Sequence, residues 1–481
     1  MQTINIQEEM FSQLRVKDVF EQAKSFAYAY MDGVRDRNVF PKDAAIKNLS
    51  VFDEPLPTTL GNSDEILRML HQFGSPASVA QTGGSYFGFV NGGAVPVALA
   101  SKWLTDVWDQ NAALYVISPV VSQLETICER WLVDLLGLPE GTAAGFVSGT
   151  STATLCGLAA GRNDLLKRMG WDVNADGLFG APPIRVIVGE QAHATVFKAL
   201  SLLGLGRSRI ELVPADDQGR MRADKLPELD FGCLVVAQAG NVNSGAFDPL
   251  NEICDRAQKA NAWVHIDGAF GLWAAASKTK QYLTLGMEKA DSWSVDSHKT
   301  LNTPYDCGVI LCKQREALVS AMQMNASYII LSDNRDGMHY APELSRRARD
   351  VEIWATLKFF GKEGVEELIN HLCYHAEGFA SQLQSQGFRI LNDIVFNQVL
   401  VACDTPELTK ATLEHIQKSG ECWCGGATWH GEPVIRISVC SWATTEADVE
   451  RSVAAFVKAR DMAASQQQAM MESSQSLPKT E

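Results

Sequence analysis

The sequence has little positive charge and no long hydrophobic run. Its 481 residues include 42 Lys and Arg against 57 Asp and Glu, a formal net charge of −15. Such a chain is repelled by nucleic-acid phosphates and by anionic membrane surfaces, so we expect neither as its main partner. No uncharged stretch approaches the ~20 apolar residues that cross a bilayer. The N-terminus has no basic start followed by an apolar run, so we expect no signal peptide.

Cysteine spacing of the kind found in disulfide frameworks is also missing. The eleven cysteines are an odd number, and several stand in apolar contexts, such as Cys156 and Cys254. This usage is typical of reduced, buried thiols, and we expect a cytoplasmic protein. Cys422, Cys424 and His430 lack the ligand spacing of a zinc site, so we expect no metal.

Short apolar runs alternate with helical patterns through the middle of the chain. The runs at 184–189, 233–240, 263–270 and 291–299 are continuously apolar or end in polar residues, and "CGVILC" follows at 307–312. Continuous apolar strands separated by helices predict an α/β fold, with a mainly parallel sheet covered by helices on both faces. In such sheets, ligands bind at the C-terminal ends of the strands.

The two ends of the chain differ from this middle part. Helical spacing and turn-rich stretches predict an N-terminal helical segment at 1–85, of a kind that often wraps a partner subunit. The large α/β domain then takes 86–375. A change of pattern predicts a small C-terminal α+β domain at 376–462. Residues 463–481 are polar and of low complexity, so we expect them to be disordered.

Four polar features fall at predicted strand ends or helix starts. Asp267 ends one strand, Lys299 ends another, and His193 follows the run at 184–189. Thr150 and Ser151 begin a helix, where free N–H groups suit a phosphate. Each has a simpler explanation, because aspartates, serines and threonines often cap helices, lysines usually face water and a single histidine is more often structural.

Taken together, these four features are the parts that pyridoxal phosphate needs. A lysine forms a Schiff base with its aldehyde, a carboxylate keeps its ring nitrogen protonated, and a helix N-terminus holds its phosphate. The flat ring needs a flat or small neighbour on each face, which His193 and Ala269 could supply. The sequence therefore predicts a pyridoxal-phosphate enzyme.

The same residues resemble the group II pyridoxal-phosphate-dependent amino-acid decarboxylases of the aspartate-aminotransferase superfamily. "DSHK" at 296–299 is similar to the family's lysine motif, "HIDGAFG" at 265–271 to its aspartate segment, "QAH" at 191–193 to its ring-stacking histidine, and "SGTSTATLCGLAAGR" at 148–162 to its phosphate loop. Weaker matches extend the resemblance over about 80–460. It implies a fold type I, seven-stranded sheet, decarboxylation of an L-amino acid, and a homodimer with its active site at the interface.

The resemblance also implies a role for each site residue. Lys299 would bond to the cofactor, Asp267 would pair with the ring nitrogen, and His193 would stack on the ring and assist catalysis. Thr150, Ser151 and His298 would lie near the phosphate, with Asn241 where relatives carry a threonine near the cofactor. Arg436 is either a carboxylate-binding arginine or half of a structural ion pair. In the loop at 332–347, Tyr340 is the candidate for the proton-donating tyrosine.

Three other functions remain open at this point. The loop at 332–347 looks shorter than in aromatic-acid enzymes, which leaves transamination, oxidative aldehyde formation or aldol cleavage as alternatives. "GTSTA" around Ser151 is a near miss for a serine-hydrolase turn. A non-catalytic, cofactor-binding relative is the last alternative, which the presence of Lys299, Asp267 and His193 together disfavours.

Overall fold

The structure is a computed structural model that describes residues 5–323 and 333–475. In chain order, the α-helices of these residues are α1 (Ile6–Val16), α2 (Asp18–Gly33), α3 (Asp43–Asn48), α4 (Ser63–Met69), α5 (Ser75–Ala77), α6 (Pro96–Trp108), α7 (Pro119–Leu135), α8 (Thr150–Arg168), α9 (Val173–Asp176), α10 (Ala194–Leu202), α11 (Leu250–Ala260), α12 (Arg315–Met322), α13 (Asp350–Ser385), α14 (Pro406–Ser419) and α15 (Glu446–Gln475). The strands are β1 (Tyr86–Phe87), β2 (Ala143–Val147), β3 (Arg185–Gly189), β4 (Ile210–Val213), β5 (Cys233–Gln238), β6 (Trp263–Asp267), β7 (Ser292–Asp296), β8 (Gly308–Cys312), β9 (Arg389–Ile390), β10 (Gln398–Ala402), β11 (Trp423–Trp429) and β12 (Glu432–Ser438).

A seven-stranded sheet forms the large domain, in the order β2-β8-β7-β6-β5-β3-β4. All its neighbours pair in parallel except β8, which runs antiparallel to both β2 and β7. The mainly parallel α/β fold expected from the apolar runs is therefore confirmed. The C-terminal ends of β3, β6 and β7 meet at one edge, which brings the residues that follow them together.

Both faces of this sheet are covered, because successive side chains of each strand point to opposite sides. Trp263 of β6 packs on the face that α8 covers, where a Cβ at Gly161 would lie 2.8 Å from its indole. Trp293 of β7 faces the other core, and its indole N–H donates to the carbonyl of Met287 at 2.9 Å. The central strands are buried throughout, which explains why they read as continuous apolar runs.

A second sheet, in the order β1-β11-β12-β10-β9, forms the small domain. Its edge strand β1 comes from residues far earlier in the chain and pairs in parallel with β11, Tyr86 opposite Trp423. Helix α13 continues past the expected boundary at 375, with non-helical backbone at Gly361 only. Residues 86 and 87 thus lie in the small sheet, although the sequence placed them in the large domain.

The C-terminal tail differs from the expectation of disorder from residue 463. Helix α15 continues to Gln475, and residues 476–481 lie outside the described part of the chain. The stretch is polar, but it consists largely of alanine, glutamine, methionine and glutamate, which are good helix formers. Low complexity was therefore a poor guide to its backbone here.

The N-terminal helices pack loosely on the rest of the chain. Helices α1 to α5 contain no buried residue, and α1 and α2 expose large apolar side chains, among them Phe11, Leu14 and Phe20. An apolar face of this kind is marginal when it is left in water. In the described residues, none of the helices is both long and apolar enough to span a membrane.

Candidate active site

Lys299 lies inside the structure, just beyond the C-terminal end of β7. Its side chain is 19% exposed, and its Nζ lies 3.0 Å from Oδ2 of Asp296. The three-residue spacing across the turn after β7 puts both side chains on the same side. This lysine therefore differs from an ordinary strand-end lysine, which extends into water.

Asp296 is a residue that the sequence analysis did not single out. Its Oδ1 accepts the backbone N–H of Thr150 at 2.7 Å, and its Oδ2 accepts the hydroxyl of the same residue at 2.8 Å. These bonds join the turn after β7 to the first residue of α8. The feature of the sequence that could have indicated Asp296 is its position three residues before Lys299, in "DSHK".

A close backbone approach fixes the other side of Lys299. A Cβ on Gly92 would lie 2.2 Å from the carbonyl oxygen of Lys299 and 2.7 Å from that of His298. Any other residue at this position would push the lysine segment out of place. The "NGG" stretch at 91–93 thus packs directly against the turn that carries Lys299.

Asp267 is the last residue of β6 and is buried on the same sheet edge. Among the described residues, its one hydrogen-bond donor is the backbone N–H of Ala269, at 3.3 Å from Oδ1. Burial raises the pKa of Asp267, and the nearby charges of His193 and Lys299 act in the opposite direction. A buried carboxylate with so few partners is costly, and it is suited to a cationic ligand.

His193 caps the N-terminus of α10, immediately after β3. Its Nδ1 lies 2.7 Å from the hydroxyl of Thr195 and accepts that residue's backbone N–H at 3.3 Å. Burial lowers the pKa of His193, while the charge of Asp267 raises it. Its ring is thus oriented by α10 and lies within electrostatic reach of Asp267 and Lys299.

The start of α8 and His298 form a region suited to an anion. Thr150 is buried while Ser151 is exposed. At this end of α8 the N–H of Thr150 donates to Asp296 and those of Thr152 and Ala153 donate to the carbonyl of Gly149, so among the described residues the N–H of Ser151 is the one left for an anion. His298 is buried, accepts the backbone N–H of Cys307 on Nδ1 at 3.0 Å, and has its Nε2 3.5 Å from Asp296. Burial lowers the pKa of His298, although Asp296 raises it.

Asn241 lies near this group, but the protein itself occupies its amide. Its Nδ2 donates to the carbonyl of Gln191 and to Oε1 of Gln238, both at 3.3 Å. Its Oδ1 accepts the backbone N–H groups of Asn243 and Ser244. Asn241 therefore joins the loop after β5 to the segment just before His193.

Tyr340 is not brought to Lys299 within this chain. Its hydroxyl accepts from Arg315 at 2.9 Å, and the guanidinium of Arg335 lies 3.9 Å from its ring centroid. Arg315 follows β8, which runs antiparallel, so this contact lies towards the sheet edge opposite to Lys299. Ser332, the first residue of the loop at 332–347, lies outside the described residues.

Arg436 of β12 is the small domain's contribution to the site. It is buried, its Nε has no hydrogen-bond partner, and no ion pair is formed by it within the described residues. Burial lowers the pKa of Arg436, and nearby Tyr86 raises it. A buried guanidinium without a carboxylate is suited to an anionic ligand. The structural ion pair considered above is not found within residues 5–323 and 333–475.

The residues present fit pyridoxal phosphate. The observation that tests this is the pair of buried carboxylates. Asp296 already has Lys299 and Thr150 as partners, whereas Asp267 has no bonded cation among the residues that the structure describes. A protonated pyridine nitrogen would supply that cation. Lys299, His193 and the start of α8 lie at the same sheet edge for the aldehyde, the ring face and the phosphate.

Comparison with known proteins gives consistent results. A family model described as the pyridoxal-dependent decarboxylase conserved domain matches residues 69–402. The aromatic-L-amino-acid decarboxylase of Sus scrofa is 24% identical over 86% of this chain and 89% of its own length. An acidic amino acid decarboxylase of Mus musculus is 25% identical over 76% of this chain and 67% of its own length.

Solved structures show the same fold. The crystal structure of Oryza sativa TDC with PLP and tryptamine has a TM-score of 0.86 at 21% identity, covering 93% of this chain and 98% of that one. Mouse CSAD has a TM-score of 0.85, with the same identity and coverage. These similarities extend beyond the large domain to most of the chain.

Proposed function

The chain belongs to the pyridoxal-dependent decarboxylase family, and on that premise we propose how its own residues hold the cofactor and the substrate. It is a pyridoxal-phosphate-dependent carboxy-lyase, which converts an amino acid to its amine and carbon dioxide. The alternatives of transamination, aldehyde formation and aldol cleavage are not favoured. Nor is a serine hydrolase, because Ser151 has no hydrogen bond to a histidine in the described structure.

The observation that carries the proposal is the meeting of Lys299, Asp267 and His193 at one edge of the large sheet. When bound, pyridoxal phosphate supplies an aldehyde for the lysine amine and a ring that accepts the electrons of the bond that breaks. Asp267 would hold the proton on the ring nitrogen, because a buried carboxylate stabilises a cation beside it. His193 would cover one ring face and Ala269 the other.

The start of α8 would hold the phosphate of the cofactor. The hydroxyl and the backbone N–H of Ser151 would donate to it, together with Nε2 of His298. Thr150 keeps its bonds to Asp296 and so shapes the loop. Asn241 donates a hydrogen bond to Gln191, in the segment before His193, and would affect the cofactor ring only through His193.

Arg436 binds the carboxylate of the substrate. A buried guanidinium with a free Nε offers donors in a fixed plane, which match a carboxylate. It fixes the amino acid from the small-domain side, while Lys299 and Asp267 act from the large domain.

A substrate panel tests the reaction. The purified protein is titrated with aromatic and acidic L-amino acids, the two classes named in the relatives, while the absorbance of the bound cofactor is recorded. Active substrates are then assayed for carbon dioxide, amine, ammonia and hydrogen peroxide. We expect carbon dioxide and amine in equal amounts without ammonia. Ammonia or peroxide in step with carbon dioxide would contradict the proposal.

We also propose that the chain works as a homodimer with its active site at the interface. The support is the N-terminal helices, whose large apolar side chains, such as Phe20 at 51% exposure, have no cover in one chain. Light scattering coupled to gel filtration should give twice the mass of the chain, and Phe20→Glu should shift it towards one chain. The change Gln384→Glu, at an exposed position of α13, serves as the control, and a monomeric wild type would contradict the proposal.

The cytoplasm is the compartment that we propose for this enzyme. All eleven cysteines are buried and unpaired, as expected for a protein kept in a reducing environment. Fractionation of cells that express a tagged chain tests this, and recovery in a membrane or secreted fraction would contradict it.

A further inference from the structure

Two carboxylates flank Lys299, and only one of them is bonded to it. Oδ2 of Asp296 lies 3.0 Å from Nζ. In the described part of the chain Asp267 forms no ion pair with Lys299, although its charge and that of the lysine influence each other. Asp296 therefore neutralises the ammonium of Lys299 in this structure, which leaves Asp267 available for the ring nitrogen.

The side chain of Asp296 is held in one position, whereas the side chain of Lys299 is flexible. Both oxygens of Asp296 accept from Thr150, its side chain is 3% exposed, and its backbone N–H donates to the carbonyl of Ala269 at 2.9 Å. The lysine has four rotatable carbon bonds and would otherwise explore many positions. An amine that is not held would lose its place beside the cofactor.

We propose that Asp296 is a positioning residue that holds the amine of Lys299 whenever this amine is not bonded to the cofactor. The proposal rests on the proposed function, because it assumes that Lys299 bonds to pyridoxal phosphate. The free amine exists twice, before the cofactor is captured and after a substrate amine has displaced the lysine. In both states Asp296 would hold Nζ in place and accept its extra proton, so that the neutral amine can attack. The carbon–nitrogen bond that forms would replace the bond to the aldehyde oxygen, released as water, or the bond to the product amine.

If Asp296 had only a structural role, replacing it would have a different effect. If Asp296 served only to fix the start of α8, Thr150 would be its sole important partner and the phosphate site would suffer when Asp296 changes. Under the proposal, replacing Asp296 instead releases the amine of Lys299 from its position. The two roles are separated by measuring covalent capture and non-covalent cofactor binding independently.

Asp296→Asn is the variant that tests this. Asparagine keeps an oxygen for the N–H of Thr150, but it places an NH₂ group where Oδ2 accepts from Lys299. Cofactor-free protein is mixed with pyridoxal phosphate, samples are reduced with borohydride at timed intervals, and the labelled Lys299 peptide is quantified. We expect capture to slow by at least about tenfold, the effect of losing one charge-assisted contact.

Non-covalent binding provides the comparison. The dissociation constant of pyridoxal phosphate is measured for Lys299→Ala and for Lys299→Ala with Asp296→Asn, and we expect the two values to agree within about threefold, less than one hydrogen bond is worth. Asp306→Asn is the matched control, because Asp306 pairs with Arg349 and does not contact Lys299. Its capture rate should equal that of the wild type.

Two results would overturn the proposal. One is capture by Asp296→Asn at the wild-type rate, and the other is a loss of non-covalent affinity as large as the loss of capture rate. If the wild type itself gives no labelled Lys299, the proposed function fails instead, which is a different outcome.

A second measurement covers the case in which Asp296→Asn folds poorly. Lys299→Met leaves the Asp296 charge without its cation, so adding Asp296→Asn to this variant should raise the urea midpoint, whereas adding it to the wild type should lower it. An equal lowering in both backgrounds would contradict the ion pair and with it the proposal.

Discussion

Tyr86 of β1 lies against Trp423 of β11, with nearly parallel rings whose centroids are 5.3 Å apart. A Cβ on Gly88 would lie 2.2 Å from the same indole, so the backbone after β1 also packs on it. Burial raises the pKa of Tyr86 to about 12, while nearby Arg436 lowers it, so its hydroxyl stays protonated at neutral pH. This aromatic contact stabilises β11, the strand that pairs with the Arg436-containing strand β12.

Replacing Lys299 should abolish turnover. Lys299→Ala removes the amine that bonds to the cofactor, so carbon dioxide release should fall to background and borohydride should leave no label on the chain. Lys289→Ala is the control, because Lys289 precedes β7 and pairs with Asp255 at 2.5 Å. A fully active Lys299→Ala protein with an unchanged spectrum would show that the lysine is wrongly assigned.

Replacing Asp267 should slow the chemical step without releasing the cofactor. Asp267→Asn keeps the shape but removes the charge that holds the proton on the ring nitrogen, so kcat should fall by at least ~100-fold, as for other groups that stabilise charge in a transition state. Borohydride should still label Lys299 in this variant. Asp255→Asn is the control, and a kcat within about twofold of the wild type for Asp267→Asn would contradict the role.

Replacing Arg436 should weaken substrate binding. Arg436→Gln loses the charge that we propose binds the carboxylate, so KM should rise ~10- to 100-fold, which corresponds to about 1.5–3 kcal/mol for a charge-assisted hydrogen bond. Steady-state assays measure this, with Arg389→Gln as control, since Arg389 lies in β9 and pairs with Glu432 at the surface. An unchanged KM would show that the carboxylate binds elsewhere.

The buried His265 should make the protein less stable in acid. A Cβ on Gly157 of α8 would lie 2.5 Å from its ring, and burial there lowers the pKa of His265 to about 3. An unfolded histidine has a pKa of about 6.5, so below this pH the unfolded chain binds a proton that the folded one does not. The contribution of His265 to the free energy of unfolding should therefore be constant well above pH 6.5 and lower by about 2 kcal/mol at pH 5.

Urea unfolding at pH 7 and pH 5 measures this dependence. His265→Gln does not titrate, so its loss of stability between the two values should be about 2 kcal/mol smaller than that of the wild type. His415→Gln, at a half-buried position of α14, should keep the full loss. Equal losses for His265→Gln and the wild type would show that His265 does not set the acid response.

The sequence predicts the large domain well for a simple physical reason. Strands buried on both faces, such as β5 and β6, must be apolar throughout, and this leaves a strong pattern. It does not predict the antiparallel direction of β8, because the same composition suits either direction. The short strand β1 was not predicted either, since its partner β11 lies in another domain.

The meeting of the candidate residues at one sheet edge was predictable where these residues end strands. Lys299, Asp267 and His193 each follow an apolar run, and the topology brings these ends together. Asp296 was missed because its role depends on Thr150, a partner at the start of a different helix. Tyr340 was selected from its position in a loop, and no pattern in the sequence shows that Arg315 binds its hydroxyl.

The pairing of β1 with β11 has a consequence for the order in which the protein can be made. The ribosome synthesises Tyr86 before the large domain and Trp423 after it. The strand β1 therefore cannot pair with β11 until Trp423 has emerged. Until β11 has been synthesised, Tyr86 and Phe87 have no strand to pair with. Correct folding of the nascent chain therefore requires that this segment form no other stable contacts.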